Sequence, residues 1–176
     1  MLDEESERCI ILLLGVKDKP ISSMERLQKE MFIASRTISK ISEIFDFEKH
    51  HHGPYSQTLQ EITKNPPHLV NMYKIQQDGS ISITASGKDY FNKIINQYKG
   101  NVKFASLLQV LKLTRNVYDK LEQDELSFLI YMTYPDYADT SNIYHKVMND
   151  EKNRDRLANL LLSKRLITKE RYNELR

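Results

Sequence analysis

The chain has 176 residues, 40% hydrophobic and 28% charged, with a net charge of +2 and one cysteine. That composition fits one folded domain, or a domain with a helical extension, and excludes an internal disulfide, a low-complexity chain and a repeat array. The net charge hides a segregation: residues 86–120 hold seven basic and two acidic groups, and residues 121–145 none and five. Such blocks make either an anion-binding face or helices paired by opposite charge.

In chain order, residues 5–16 read as a helix that is apolar nearly all round and therefore central to the core. Its run Cys9-Ile10-Ile11-Leu12-Leu13-Leu14 buries the thiol as a small hydrophobe, which suits a reducing cytoplasm. The run is too short to span a bilayer, and the opening Asp3-Glu4-Glu5 lacks the positive charge of a signal peptide, so neither a membrane nor export is expected. Ser22, three residues before Glu25, predicts a capped helix with Met24, Leu27, Met31 and Ile38 inward. Ile38, Ile41, Ile44 and Phe45 extend the same face, as a separate short helix or past a bend near Ser35.

Gly53-Pro54 predicts a turn, because glycine frees one backbone position and proline locks the next. Ser56 then stands as the N-cap of a short helix with Leu59 and Ile62 inward, stopped by Pro66-Pro67. Asp78-Gly79 between Lys74-Ile75-Gln76 and Ser80-Ile81-Ser82-Ile83 predicts a β-hairpin. Thr84 caps a helix through Phe91, Ile94, Ile95 and Tyr98, closed by Gly100. Beyond it the pattern is helical: Phe104 to Leu121, then Leu126 to Tyr134-Pro135. Further helices follow, one starting at Ser141 with Ile143, Tyr144, Val147 and Met148 inward, one through Leu157 to Leu161, and a last one capped by Thr168.

The fold expectation is therefore mostly α with a small β-hairpin: a winged helix-turn-helix domain over residues 1–100, followed by a helical extension over 101–176 that packs on it or forms an oligomer contact. The terminal helices bury little area alone, which makes a homodimer one expectation.

Residues 24–91 resemble uncharacterised prokaryotic winged-helix proteins of the YwgA-like kind and, more distantly, the Panacea (SocA-like) antitoxin domain. The resemblance rests on Arg26-Leu27-Gln28-Lys29, on Phe47 followed by His51-His52-Gly53-Pro54-Tyr55-Ser56, and on Ile83-Thr84-Ala85-Ser86-Gly87. It implies a winged helix, with transcriptional regulation or toxin neutralisation as the functions found on that fold. By resemblance, His51, Gly53, Pro54, Tyr55 and Ser56 shape the turn before the reading helix, with a hydrogen bond from His51 ordering it. Pro66-Pro67 interrupts that helix here.

In a winged helix, the helix before the hairpin commonly enters the DNA major groove. Here it offers Gln57, Thr58, Gln60, Thr63 and Lys64, which can hydrogen-bond base edges and phosphates, with Lys74 and Lys88 beside the hairpin as further candidate DNA contacts. Glu61 and the hairpin tip Gln76-Gln77-Asp78-Gly79-Ser80, which has no Lys or Arg, oppose phosphate binding. The run from Lys88 through Lys93, Lys99, Lys103, Lys112, Arg115 and Lys120 supplies a positive face only if those side chains point together.

His50, His51 and His52, with Glu48 and His68, are zinc-ligand types, but neighbours on an extended segment alternate faces, so at most His50 and His52 converge and no metal is expected. Tyr55, Tyr131, Tyr134, Tyr137 and Tyr144 read as half-buried core or as a partner groove. There is no glycine-flanked serine elbow and no glycine loop to cradle phosphate, so neither an enzyme nor a cofactor is expected. The functional expectation is a cytoplasmic, non-enzymatic regulator that binds DNA or acts like an antitoxin; the alternative is a protein-interaction adaptor that does not bind DNA.

Overall fold

The computed structural model describes residues 4–138 and 144–175. Ser141 and Ile143, the expected start of a helix, lie outside the described residues, as do Asp3 and Asp139. The described chain is mostly helical, with two separate two-stranded antiparallel hairpins. It divides into two compact units, residues 1–47 with 56–116, and residues 48–55 with 117–176. The division between the units falls at 116/117, and the eight-residue segment before Ser56 goes with the second unit.

The first unit contains α1 (Glu4–Gly15), α2 (Met24–Ser35), α3 (Ser39–Phe45), α4 (Gln57–Lys64), β3 (Tyr73–Ile75), β4 (Ile81–Ile83), α5 (Ala85–Gln97) and most of α6 (Val102–Tyr118). The second contains β1 (Glu48–His50), β2 (Gly53–Tyr55), α7 (Gln123–Thr133), α8 (Glu151–Ser163) and α9 (Lys169–Glu174), with short helical turns at Pro135–Tyr137 and His145–Asn149.

In the first unit α1 is buried from Cys9 to Leu14, as its unbroken apolar run requires, and α3, α4, α5 and β4 pack around it. The N-cap of α2 is Ser23 rather than Ser22: its hydroxyl accepts the Arg26 N–H at 3.1 Å. β3 and β4 pair with Lys74 opposite Ser82. Ile21 adds a bridge to β4, exchanging backbone bonds with Ile81 at 2.9 and 2.7 Å. Thr84 caps α5 as expected, and its hydroxyl also donates to the carbonyls of Asn71 and Met72. Gly87 in the next turn lies so close that a Cβ there would overlap the Met72 carbonyl, which gives the Thr84–Gly87 motif a packing role.

Buried charge holds the ends of these elements. The Glu7 carboxylate, inaccessible to solvent, accepts the backbone N–H of His68 at 2.9 Å and of Leu69 at 2.6 Å, satisfying the chain just after Pro66-Pro67. Arg115 is equally buried, which removes it from any exposed basic face. Its Nε lies 3.4 Å from Glu30 Oε2, and its other nitrogens donate to the carbonyls of Leu13 and Lys19, so α6 is tied to the end of α1 and the loop beyond it.

In the second unit, Leu126, Phe128, Ile130 and Tyr131 of α7 and Leu157, Ala158 and Leu161 of α8 are buried. Glu125 closes a capping box at the start of α7 and takes the Lys164 ammonium on both oxygens, at 2.8 and 2.6 Å. Part of the acidic block is therefore paired within the fold. Thr168 caps α9 as expected, and Arg171 donates to the Met132 carbonyl, so the C-terminal helical pair docks inside this unit. Among the described residues no helix is long and apolar enough to cross a membrane.

Arg115→Met leaves Glu30 facing a lost cation and two carbonyls without their donor, and is expected to cost about 3–5 kcal/mol in urea unfolding. Adding Glu30→Leu should not restore the loss, because Glu30 also pairs with buried Arg26 at 3.8 Å and its removal takes a partner from that second cation.

Candidate interaction surface

α4 has eight residues, too few to hold a helix in isolation. Its inner face is Leu59, Ile62 and Thr63, all buried, and each aliphatic side chain contributes about 1.5–3 kcal/mol of burial. Its N-terminus is fixed twice. The Ser56 hydroxyl accepts the Leu59 N–H at 3.2 Å. The buried amide of Gln28 on α2 then takes both backbone groups of Ser56: Ser56 N–H donates to Gln28 Oε1, and Gln28 Nε2 donates to the Ser56 carbonyl, each at 2.9 Å.

Gln28 is the residue that sequence reasoning missed. A signal existed: Arg26, Gln28, Lys29 and Glu30 are four polar residues close together on a helix whose apolar positions already point inward, and all four are buried.

The predicted contact residues divide. Gln57 and Lys64 are exposed, and Thr58 and Gln60 are half-buried on opposite flanks of α4, either side of Leu59. Thr63 is 2% exposed, and its hydroxyl donates to the Leu59 carbonyl at 2.6 Å, so it faces the core and is removed from the reading face. Across the exposed surface the Gln57 amide donates to the Glu61 carboxylate at 2.7 Å, which engages one candidate base reader with an anion.

The ribbon lies beside α4, because the Tyr73 hydroxyl donates to the Ile62 carbonyl at 3.0 Å. Burial, with the Glu7 carboxylate nearby, pushes that phenol above its ordinary range, so it stays a proton donor. At the tip, the Ser80 hydroxyl and N–H both donate to Asp78 and hold its carboxyl below the usual range, which leaves the tip negative at neutral pH. Lys74 is exposed on β3, as is Ile75. Lys88 reaches Asp18 at 2.6 Å, so its charge is already paired.

No family model matches this chain, nor does any curated protein or solved structure.

In the second unit, Gly53-Pro54 is not a turn. Both residues belong to β2, paired with His50 and Lys49, and the turn is His51-His52. Gly53 has φ +99°, which favours glycine, and a Cβ there would sit 3.1 Å from the Tyr131 hydroxyl, a tight contact. Pro54 is buried and Tyr55 half-buried, its ring stacked on His50 at 4.6 Å. His51 is exposed, its ring edge-on to His50. The rings of His50 and His52 are 6.0 Å apart. Among the described residues no group of three or more His, Cys, Asp or Glu side chains is arranged to hold a metal ion.

Gln28→Ala leaves the buried Ser56 N–H without its acceptor, while the Ser56 carbonyl keeps the Gln60 N–H at 3.1 Å. It is expected to destabilise the protein by roughly 1–3 kcal/mol in urea unfolding, whereas Gln57→Ala, at the surface one residue along, should change stability by less than about 0.5 kcal/mol.

Proposed function

We propose that the first unit is a winged-helix module that acts by binding rather than catalysis, and that its partner at α4 and the ribbon is a protein. The winged-helix reading is supported by the order α1, Ile21 bridge, α2, α3, α4, β3, β4, with the bridge joining Ile21 to the second strand of the ribbon. The resemblance in Gln28, the Gly53–Ser56 segment and Thr84–Gly87 supports it too, since each holds a backbone feature: the N-cap of α4, the close approach of β2 and the start of α5. An antitoxin-like regulator is one form such binding takes.

The observation that carries the choice of partner is the charge of this surface. α4 and the ribbon carry two basic side chains, Lys64 and Lys74, against the exposed carboxylates Glu61 and Asp78. Phosphate neutralisation supplies most non-specific DNA affinity, and two cations per chain correspond to a salt slope of only about −2. The exposed Ile75, at 43%, gains nothing from a phosphate backbone and is covered profitably by a protein surface. Regulation by direct DNA reading is the second interpretation, favoured by Gln57 and Lys64 lying exposed on one helix with Thr58 and Gln60 half-buried at its flanks.

Fluorescence anisotropy with labelled duplex DNA at low salt separates the two. The protein-binding reading expects no saturable complex. A saturable complex whose affinity falls with salt, and which Gln60→Ala with Lys64→Ala weakens without unfolding the chain, would overturn it.

A further inference from the structure

The first unit contains a second concave feature, none of whose lining residues belongs to α4 or the ribbon. It is a cleft of about 650 Å³ between α1, the start of α3, the end of α5 and the first half of α6. That size lies in the range of small-molecule sites, about 300–1,000 Å³. Its floor is Leu12, Ile41 and Ile94, which are buried, and its α6 wall is Phe104, Leu107 and Val110, which are only half-buried. An apolar helix face that stops short of closing on the core leaves area that a hydrophobic ligand would finish covering.

The charges at the mouth define the other end of the ligand. Three cations line the cleft, but Arg8 is bonded to Glu4 at 2.7 Å and Lys40 to Glu5 at 3.0 Å. Lys103 has no ion-pair partner among the described residues and is exposed at the start of α6. Asn101, beside it on the rim, spends its carbonyl oxygen on the Phe104 N–H, leaving its amide N–H groups to donate outward. One uncompensated cation with a neutral donor suits a single negative charge; a phosphate monoester brings closer to two.

We infer that this cleft binds an amphipathic monocarboxylate, with an unbranched acyl chain against Leu12, Ile41, Ile94 and Leu107 and its carboxylate at Lys103. The site is independent of the proposed surface on α4, so either can fail without the other.

The test is calorimetric titration of the full chain with decanoate and with 1-decanol, both below their aggregation limits. One decanoate per chain is expected, with 1-decanol at least about tenfold weaker. Lys103→Glu, at an exposed position, should weaken decanoate by about tenfold or more while leaving 1-decanol unchanged, and Leu107→Trp, which fills the slot, should weaken both. No saturable heat with decanoate, equal affinity for the alcohol, or decanoate binding that neither variant alters would each overturn the assignment. Unchanged circular dichroism of Lys103→Glu keeps the comparison valid if Leu107→Trp fails to fold.

Discussion

The N–H and carbonyl of Ser56 are held by the single buried amide of Gln28, and the placement of α4 follows from that pair. An eight-residue helix has little stability of its own, so packing and end contacts decide where it points. Leu59 and Ile62 give it an inner face, but two apolar contacts leave rotation and sliding open. The Gln28 pair removes that freedom, because both hydrogen bonds form at one register only, and leaving the buried Ser56 N–H unpaired would cost about 1–3 kcal/mol. Which residues look outward, Gln57, Glu61 and Lys64 among them, is therefore decided on α2, about thirty residues upstream.

The same device recurs at three other places in this unit. Glu7 serves the N–H groups after Pro66-Pro67, Arg115 the carbonyls at the end of α1 and in its exit loop, and Thr84 the carbonyls of Asn71 and Met72. Each is a polar side chain from one element meeting backbone groups of another. Such bonds add modest net stability, but their absence is costly, so they select one arrangement of the loops against its neighbours. The surface presented by α4 and the ribbon inherits its shape from these interior choices. Its chemistry is set locally, by Gln57 against Glu61 and by Ser80 donating to Asp78.

Helix periodicity, the Asp78-Gly79 ribbon, the Thr84 and Thr168 caps and the stops at Pro66-Pro67 and Tyr134-Pro135 were all legible in the sequence, because each leaves its signal within a few residues. The β1–β2 hairpin was not: its turn is His51-His52, which lacks the residues that mark tight turns, while the Gly53-Pro54 that looks like a turn is strand. Thr63 as a candidate contact, Arg115 as a candidate for a basic face and the unread role of Gln28 share a reason. Their burial depends on partners that are distant in sequence, or on a local bond such as that of Thr63 to Leu59, and neither disturbs the apolar period that marks a core face. Of the candidate site, the exposure of Gln57 and Lys64 on a short capped helix was readable; the half-burial of Thr58 and Gln60 at its flanks and the engagement of Gln57 by Glu61 and of Lys88 by Asp18 were not.

Native-state hydrogen exchange at the Ser56 amide examines the Gln28 constraint most directly. If that pair sets the position of α4, the Ser56 N–H exchanges only through global unfolding, with the same free energy as the core amides of α1. Exchange as fast as that of the neighbouring Gln57 amide at the first turn of the helix would contradict it, and would mean that α4 is held by its two buried aliphatic side chains alone.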